Sequence, residues 1–337
     1  MVASAVSTIL TLRHKLQEVR LEQLPRDPMI AAAVSGVVLA ADRNALQEFH
    51  VDSPLTEEAN EVVCKLPNLR NLWMVIEKET SLPSALLPNL TELMIKCDNE
   101  GDWPRLFHGA TFGKLETVRF FPRSKKIGDF LGAFERVALS SSVQNTLSTF
   151  YVRPSCSWNP DYSSLLPFTQ LVDLVIESSC NGGCSSRVDD DIIISLSRAM
   201  PKLTVLKLGN GPCREFTTGA TTKGLMALAL HCPNLSTLRI HFQVASLSVP
   251  PARPGISRTT ESTGSCTDCA LTLLLVGKTR VPEDSVSRVA LTLLQIFPRI
   301  KWIHSDDEGW KRVWDAIHIS RRIIGCSSKH NPFTIHW

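Results

Sequence analysis

The chain has 337 residues, of which 43% are hydrophobic and 20% are charged. This composition is that of an ordinary globular protein and excludes a wholly disordered or fibrous chain. The 36 basic and 33 acidic residues give a formal net charge of +3, a balance that favours neither nucleic acid nor an anionic membrane as a partner. No run reaches the roughly 18 apolar residues that a membrane span requires.

Ten cysteines are scattered along the chain. Cys64, Cys97 and Cys232 fall within or beside repeated leucine phrases, where a thiol behaves as a small hydrophobic group. Such use of cysteine is typical of a reducing compartment, so we expect a cytoplasmic or nuclear protein.

The first 45 residues are interpreted as an N-terminal cap or a degenerate first repeat. Residues 13–24 predict a strand-like unit, and residues 28–41 are apolar enough for a buried helix. Residues 1–12 are mildly apolar but have no basic residue ahead of them, so we predict no signal peptide.

Residues 46–304 are dominated by one phrase, L-x-x-L-x-L. Its first apolar residue anchors eleven copies along the chain, one of which precedes this range: Leu16, Leu46, Leu69, Leu90, Leu115, Leu147, Leu171, Leu203, Leu235, Leu271 and Ile300. The mean spacing is about 28 residues, which is the period and signature of a leucine-rich repeat. The copies at Leu16, Leu46 and Leu271 are the weakest.

Helical patterns lie between these phrases. Ser53 and Pro54 predict a helix start, as N-cap and first helical residue. Apolar residues at helical spacing follow near residues 130–138, 189–200, 222–230 and 283–297. Strand, helix and parallel strand would therefore alternate, which predicts an α/β leucine-rich-repeat horseshoe with a parallel concave sheet and convex helices.

Two segments depart from the repeat. Residues 246–268 are rich in Pro, Gly, Ser and Thr and are interpreted as a flexible insert, which could carry a regulatory site. Residues 305–337 are interpreted as a capping helix and tail, with Trp310, Val313, Trp314 and Ile317 on one helix face.

The strand residues that point away from the leucine core are the candidate partner-binding site, because adjacent side chains on a strand alternate between faces. Tyr and Arg are favoured interface residues, and such a cluster suits an acidic or phosphorylated segment of a protein partner. A solvated sheet face with incidental charge remains the alternative. The candidates are Trp73, Arg119, Tyr151, Arg153, Lys207, Arg239 and His241.

No catalytic motif is evident, and we predict neither an enzyme nor a cofactor. Cys180, Cys184, Cys266 and Cys269 could form a zinc site, but the 82-residue gap between the two pairs favours loop cysteines. Asp189–Asp191 could bind a cation but is interpreted as a helix start.

The repeat phrases, with Val289–Ile303 (VALTLLQIFPRIKWI) and Asp307–Ile317 (DEGWKRVWDAI), resemble fungal F-box/leucine-rich-repeat-like proteins. The resemblance begins near Leu46, and an F-box itself is not evident. It implies a substrate receptor of an SCF-type ubiquitin ligase, with the SCF linker subunit as a second partner.

We therefore predict an intracellular protein–protein recognition scaffold that is the substrate-binding part of a ubiquitin ligase adaptor. The alternative is a regulator of an enzyme, such as a GTPase-activating horseshoe that supplies an arginine to its partner. A remnant without retained activity is a third reading.

Overall fold

The computed structural model describes residues 16–24, 27–76, 86–97, 110–122, 130–140, 142–154, 160–177, 188–209, 220–241, 243–244, 247, 269–277, 279–305 and 307–324. Within these residues the chain forms one 11-stranded sheet in which every neighbouring pair is parallel. The strand order follows the chain order, so each unit adds its strand beside the previous one. The predicted α/β class and parallel sheet are thereby confirmed, and the topology is compatible with an α/β solenoid.

The strands are numbered in chain order. Those of the large sheet are β1 (Glu18–Leu21), β2 (Glu48–Pro54), β3 (Asn71–Ile76), β5 (Glu92–Cys97), β7 (Thr117–Pro122), β8 (Thr149–Val152), β9 (Asp173–Ile176), β10 (Val205–Leu208), β11 (Thr237–Arg239), β12 (Leu273–Gly277) and β13 (Trp302–Ser305). Two short strands, β4 (Leu86–Leu87) and β6 (Thr111–Phe112), pair separately.

Seven α-helices lie in the described part of the chain: α1 (Pro28–Ala40), α2 (Glu57–Val63), α3 (Phe130–Ser140), α4 (Asp190–Ala199), α5 (Thr222–His231), α6 (Val286–Ile296) and α7 (Glu308–Ile324). None of these helices is long and apolar enough to cross a lipid bilayer. Short 3-10 turns occupy Ser142–Asn145, Tyr162–Leu165 and Glu283–Ser285.

Each leucine anchor stands two residues before the first residue of a strand in the large sheet. The residue after the anchor often carries a hydroxyl group that donates to a backbone carbonyl of the preceding unit. Thr91 Oγ1 reaches Arg70 O at 3.1 Å, and Ser236 Oγ reaches Thr204 O at 3.0 Å. These hydroxyls form a side-chain ladder at the point where each strand begins, and so fix the stacking of successive units.

The buried face of the large sheet is an unbroken apolar row. The side chains paired in register include Phe49, Leu72, Leu93, Val118, Phe150, Leu174, Leu206, Leu238 and Leu274, each at most 1% exposed. The helices cover this row and share one hydrophobic core with it. Because side chains alternate along a strand, the residue after each of these faces the opposite side of the sheet.

The helix predicted to start at Ser53 and Pro54 starts later. Both residues belong to β2, and Thr56 is the N-cap of α2, with its Oγ1 accepting from Ala59 N at 3.4 Å. Pro54 sits at the last position of the strand, after a register shift that follows His50. A proline is tolerated at the end of a strand as well as at the first position of a helix, because neither place needs its backbone N–H. The predicted helix start was therefore wrong.

At the C-terminal end, α7 packs against α6 and β13. Trp310, Val313 and Ile317 are buried, and Trp310 Nε1 donates to Thr279 O at 2.7 Å. The insert proposed at residues 246–268 lies outside the described residues apart from Leu247, which is buried. Residues 1–15 and 325–337 also lie outside them.

Candidate functional site

One residue from each strand of the large sheet forms a continuous row on the face opposite the core. We call it the outer row, and strand pairing places its members side by side in this order: Arg20, His50, Trp73, Met94, Arg119, Tyr151, Val175, Lys207, Arg239, Leu275 and His304. With about 4.8 Å between strands, the row is roughly 50 Å long. Five of the candidates predicted from the sequence belong to it: Trp73, Arg119, Tyr151, Lys207 and Arg239.

The other two candidates differ in their surroundings. Arg153 follows Tyr151 by two residues and is exposed, while its backbone N–H donates to Phe120 O at 2.9 Å. His241 is only 7% exposed, and its Nδ1 lies 3.5 Å from Thr279 Oγ1. Burial, followed by the nearby Arg239, lowers the pKa of His241 to about 4. A covered, neutral imidazole cannot serve as an exposed contact, so His241 is part of the protein interior.

Two of the predicted cations share one carboxylate. Glu177 accepts from Arg239 Nη1 at 2.7 Å and lies 3.8 Å from Lys207 Nζ, and all three side chains are less than 30% exposed. The sequence places Arg239 and Glu177 62 positions apart, and stacking of β9, β10 and β11 brings them together. This pairing fixes the orientation of both cations and reduces their combined charge.

Tyr151 occupies the middle of the outer row. Its ring centroid lies 5.4 Å from that of Phe121, and Arg119 is its register partner on β7. Burial and then Glu177 raise the pKa of Tyr151, while Arg153 and Arg119 oppose the shift. The phenol therefore stays protonated at neutral pH and can donate a hydrogen bond. We call this region the central patch, formed by Arg119, Tyr151, Arg153, Glu177, Lys207 and Arg239.

A second feature of this face lies toward β1, where the sequence-predicted candidates are Trp73 and Arg119. It is an open cleft of about 220 Å³ around Trp73, which we call the Trp73 cleft. Its floor and rim come from strands β1, β2, β3, β5 and β7. The lining residues are Arg20, Glu22, Glu48, Phe49, His50, Asn71, Leu72, Trp73, Glu92, Met94 and Arg119.

The indole of Trp73 is packed on both sides. The His50 ring stacks on it with centroids 3.3 Å apart, and Lys96 Nζ stands 4.7 Å from the indole centroid. Lys96 in turn pairs with Asp52 at 2.6 Å. Trp73 therefore forms part of the cleft wall, and it is held there by an internal cation–π contact rather than presented as a free aromatic anchor.

His50 is 9% exposed, and its Nδ1 lies 3.3 Å from Glu22 Oε1. Burial lowers its pKa, although Glu22 and Asp52 oppose the shift, so the ring is neutral at pH 7. The rule that identified Trp73 also yields His50 when it is applied to the weak copy at Leu46, and Arg20 when it is applied to Leu16. Neither residue is among the sequence-predicted candidates, although the same spacing from the anchor points to both.

The acidic triplet at Asp189–Asp191 is used within the fold. Asp189 Oδ1 accepts from Ile192 N at 3.0 Å and caps α4. Asp190 Oδ1 accepts from Thr221 N at 2.8 Å and from Gly224 N at 3.0 Å, where α5 begins. Both carboxylates thus accept hydrogen bonds from unpaired backbone N–H groups at helix N-termini. This agrees with the interpretation of Asp189–Asp191 as a helix start.

The residue types that bind metal ions do not form a candidate site in the described part of the chain. No three His, Cys, Asp or Glu side chains of the described residues are grouped so that they could hold a metal ion. Of the four cysteines considered for zinc, Cys269 is buried and the other three lie outside the described residues.

Comparison of the chain with protein-family models and with curated proteins finds no match.

Proposed function

We propose that this chain is a leucine-rich-repeat horseshoe that recognises a protein partner through the outer row. The observation that carries the proposal is the register of the sheet: eleven strands each contribute one residue to an unbroken row of varied chemistry. In a solenoid of stacked units, such a row lies on the extended surface that these proteins use for binding. Its length of roughly 50 Å suits an extended segment or a domain surface rather than a small molecule.

The central patch supports an acidic or phosphorylated partner segment. The patch contains four cations, of which Arg119 and Arg153 act on Tyr151 directly, and Glu177 is the one acid defined within the patch. Arg153 is exposed and makes no ion pair with any described residue. Arginine forks bind carboxylates and phosphates with two parallel hydrogen bonds, and the Tyr151 hydroxyl can add a third donor.

The test reverses the charge of the two most exposed arginines of the patch. Tagged wild-type chain and the R119E/R153E variant would each be used to capture proteins from host lysate, with quantification by mass spectrometry. R43E/R198E is the matched control, because Arg43 and Arg198 are exposed and lie off the sheet. We expect a set of proteins that the control retains and R119E/R153E loses. Equal recovery by all three chains, with unchanged circular dichroism, contradicts recognition through the central patch.

A role as the substrate-binding part of an SCF-type ubiquitin ligase adaptor is a finer proposal. The same capture experiment tests it, since an adaptor would recover the linker subunit and the cullin together with its substrate. These two subunits should remain bound to R119E/R153E, because ligase docking would use another surface. Capture without them leaves a recognition scaffold that does not dock to the ligase.

Regulation of a GTPase is the second candidate. The observation that favours it is the exposed guanidinium of Arg153, which makes no ion pair within the part of the chain that the structure describes. An arginine supplied to a partner's active site accelerates GTP hydrolysis by stabilising charge in the transition state. A captured GTPase should then hydrolyse GTP faster with wild-type chain and lose that stimulation with R153A. Equal stimulation by R153A would eliminate Arg153 from this role.

A further inference from the structure

We infer that the Trp73 cleft receives a basic side chain, lysine or arginine, from the partner segment. The inference rests on the proposed function and adds a second, oppositely charged contact to the central patch. It follows from how the carboxylates of the cleft are held, from the unsatisfied imidazole beside them, and from the size of the cleft.

The two inner carboxylates of the cleft are placed by strand register. Glu48 and Glu92 both pair with Asn71, from opposite sides, so the three side chains stand in line on β2, β3 and β5. The two glutamates are therefore about 10 Å apart at the backbone, with an amide between them. A cation entering over Asn71 has a carboxylate on each side.

Two arginines that also line the cleft hold these carboxylates. Arg20 Nη2 lies 3.0 Å from Glu48 Oε2, and its Nε lies 2.5 Å from Glu18 Oε1. Arg119 Nη1 lies 3.0 Å from Glu92 Oε1. Each carboxylate can accept about four hydrogen bonds, so acceptor capacity remains for a guest. Both arginines are already paired with these glutamates. Glu22 is a third acid in the cleft lining, so the lining contains three acids and two arginines, and this excess of negative charge favours a cationic guest.

His50 supplies an independent indication. Its Nδ1 faces Glu22, so the neutral ring carries its proton on that nitrogen and leaves Nε2 as an acceptor. Nε2 has no hydrogen-bond partner among the described residues, although His50 is more than nine-tenths buried. An unpaired buried acceptor is costly. The N–H groups of an ammonium or guanidinium would supply the missing donor at the cleft wall.

The size and floor of the cleft suit one long side chain. Its volume of about 220 Å³ is below that of pockets for drug-sized ligands, roughly 300–1,000 Å³. The side chains of Trp73 and Met94 line it with apolar atoms, against which the methylene stem of a lysine or arginine can lie. Lys96 already shows this mode of recognition within the chain, with its ammonium over Trp73 and beside Asp52.

The position of the cleft along the outer row predicts a spacing in the partner. Four strand steps separate His50 from Tyr151, a distance of about 19 Å. An extended chain covers this distance in about six residues. The partner segment should therefore carry a basic residue about six positions from the acidic or phosphorylated residue that meets the central patch.

The test uses side-chain analogues and does not require the partner. Methylguanidinium and n-butylammonium would be titrated into the full chain labelled with ¹⁵N, with the Trp73 indole N–H resonance, assigned through Trp73→Phe, as the reporter. We expect a saturable shift with both cations and none with n-butanol. The E48Q/E92Q variant should lose the shift, and E57Q/E58Q, which alters two exposed acids of α2, should keep it.

The inference is overturned by any of three results: no saturable shift in the wild-type chain, an equal shift from n-butanol, or an unchanged shift in E48Q/E92Q. Its failure is distinguishable from that of the proposed function, since the capture experiment with R119E/R153E does not depend on the analogues. A partner lost by R119E/R153E but bound equally by E48Q/E92Q and wild type would overturn the cleft and leave the central patch intact.

Discussion

The two faces of the large sheet use the same strands for different purposes. On the core face, Leu206 and its register partners are apolar and fully buried. On the other face, Lys207 stands between Val175 and Arg239, and the outer row changes chemistry at almost every strand. The core row is uniform because each position meets the same packing requirement.

The contrast shows which positions are set by packing and which are not. Stacking of the units requires a buried apolar side chain at a fixed place in each strand, and it places little demand on the residue that follows. Variation in the outer row is therefore available for recognition. Substitutions on the two faces should separate accordingly, with core positions changing stability and outer positions changing binding.

The largest effect is expected from a matched pair on β10. Leu206→Ala removes a fully buried side chain from the core row and should lower the free energy of unfolding by about 2–5 kcal/mol. Lys207→Ala, one residue later, removes a side chain that is 28% exposed and should change it by less than about 1 kcal/mol. Urea unfolding followed by circular dichroism measures both. A similar loss of unfolding free energy in the two variants would contradict the proposed difference between the two faces of the sheet.

His241 gives the next largest effect, as a function of pH. Its pKa in the folded chain is about 4, against 6.5 for an exposed histidine, because burial disfavours the charged ring. Between these values the unfolded chain binds a proton that the folded chain does not, so stability falls as the pH drops from 6.5 to 4. The loss attributable to His241 amounts to about 3 kcal/mol.

Unfolding curves at pH 7, 5.5 and 4.5 would test this assignment. His241→Gln should reduce the fall in stability across this range. An unaltered pH dependence in His241→Gln would place His241 in solvent, on the surface where the sequence predicted it.

The smallest stability effect is expected at Glu177, and it comes with a change in binding. Glu177→Gln removes the carboxylate that Arg239 and Lys207 share, and should change the free energy of unfolding by about 1 kcal/mol or less. It also removes the internal acid that competes with a partner's acidic group for these two cations, so an acidic partner retained by the control in the capture experiment should bind more tightly. Isothermal titration calorimetry with that partner measures the change, and weaker binding would show that Glu177 itself contacts the partner.

The periodic part of this structure could be predicted from the sequence. The anchors from Leu69 to Leu235 identify consecutive strands, and alternation along each strand places Trp73, Arg119 and Tyr151 on one face. This works because one local pattern, an apolar residue at fixed spacing, dictates both the strand and its inward face.

The remaining features depend on contacts between distant units. Burial of His241 requires Thr279, which follows β12, and the pairing of Arg239 with Glu177 requires two intervening strand contacts. The Trp73 cleft draws residues from Arg20 to Arg119 onto one surface. No local sequence pattern predicts these contacts, because they form only when units that are distant in the chain are stacked.

Site-specific photo-crosslinking tests the central claim most directly. A benzophenone amino acid would replace Tyr151 on the outer row or, as the comparison, Leu139, which is 49% exposed on α3. Each chain would be irradiated with the proteins that the wild-type chain captures. The account predicts a covalent adduct with the partner from position 151 and none from position 139. An adduct only from position 139 would contradict recognition through the outer row and place the partner on the helical side.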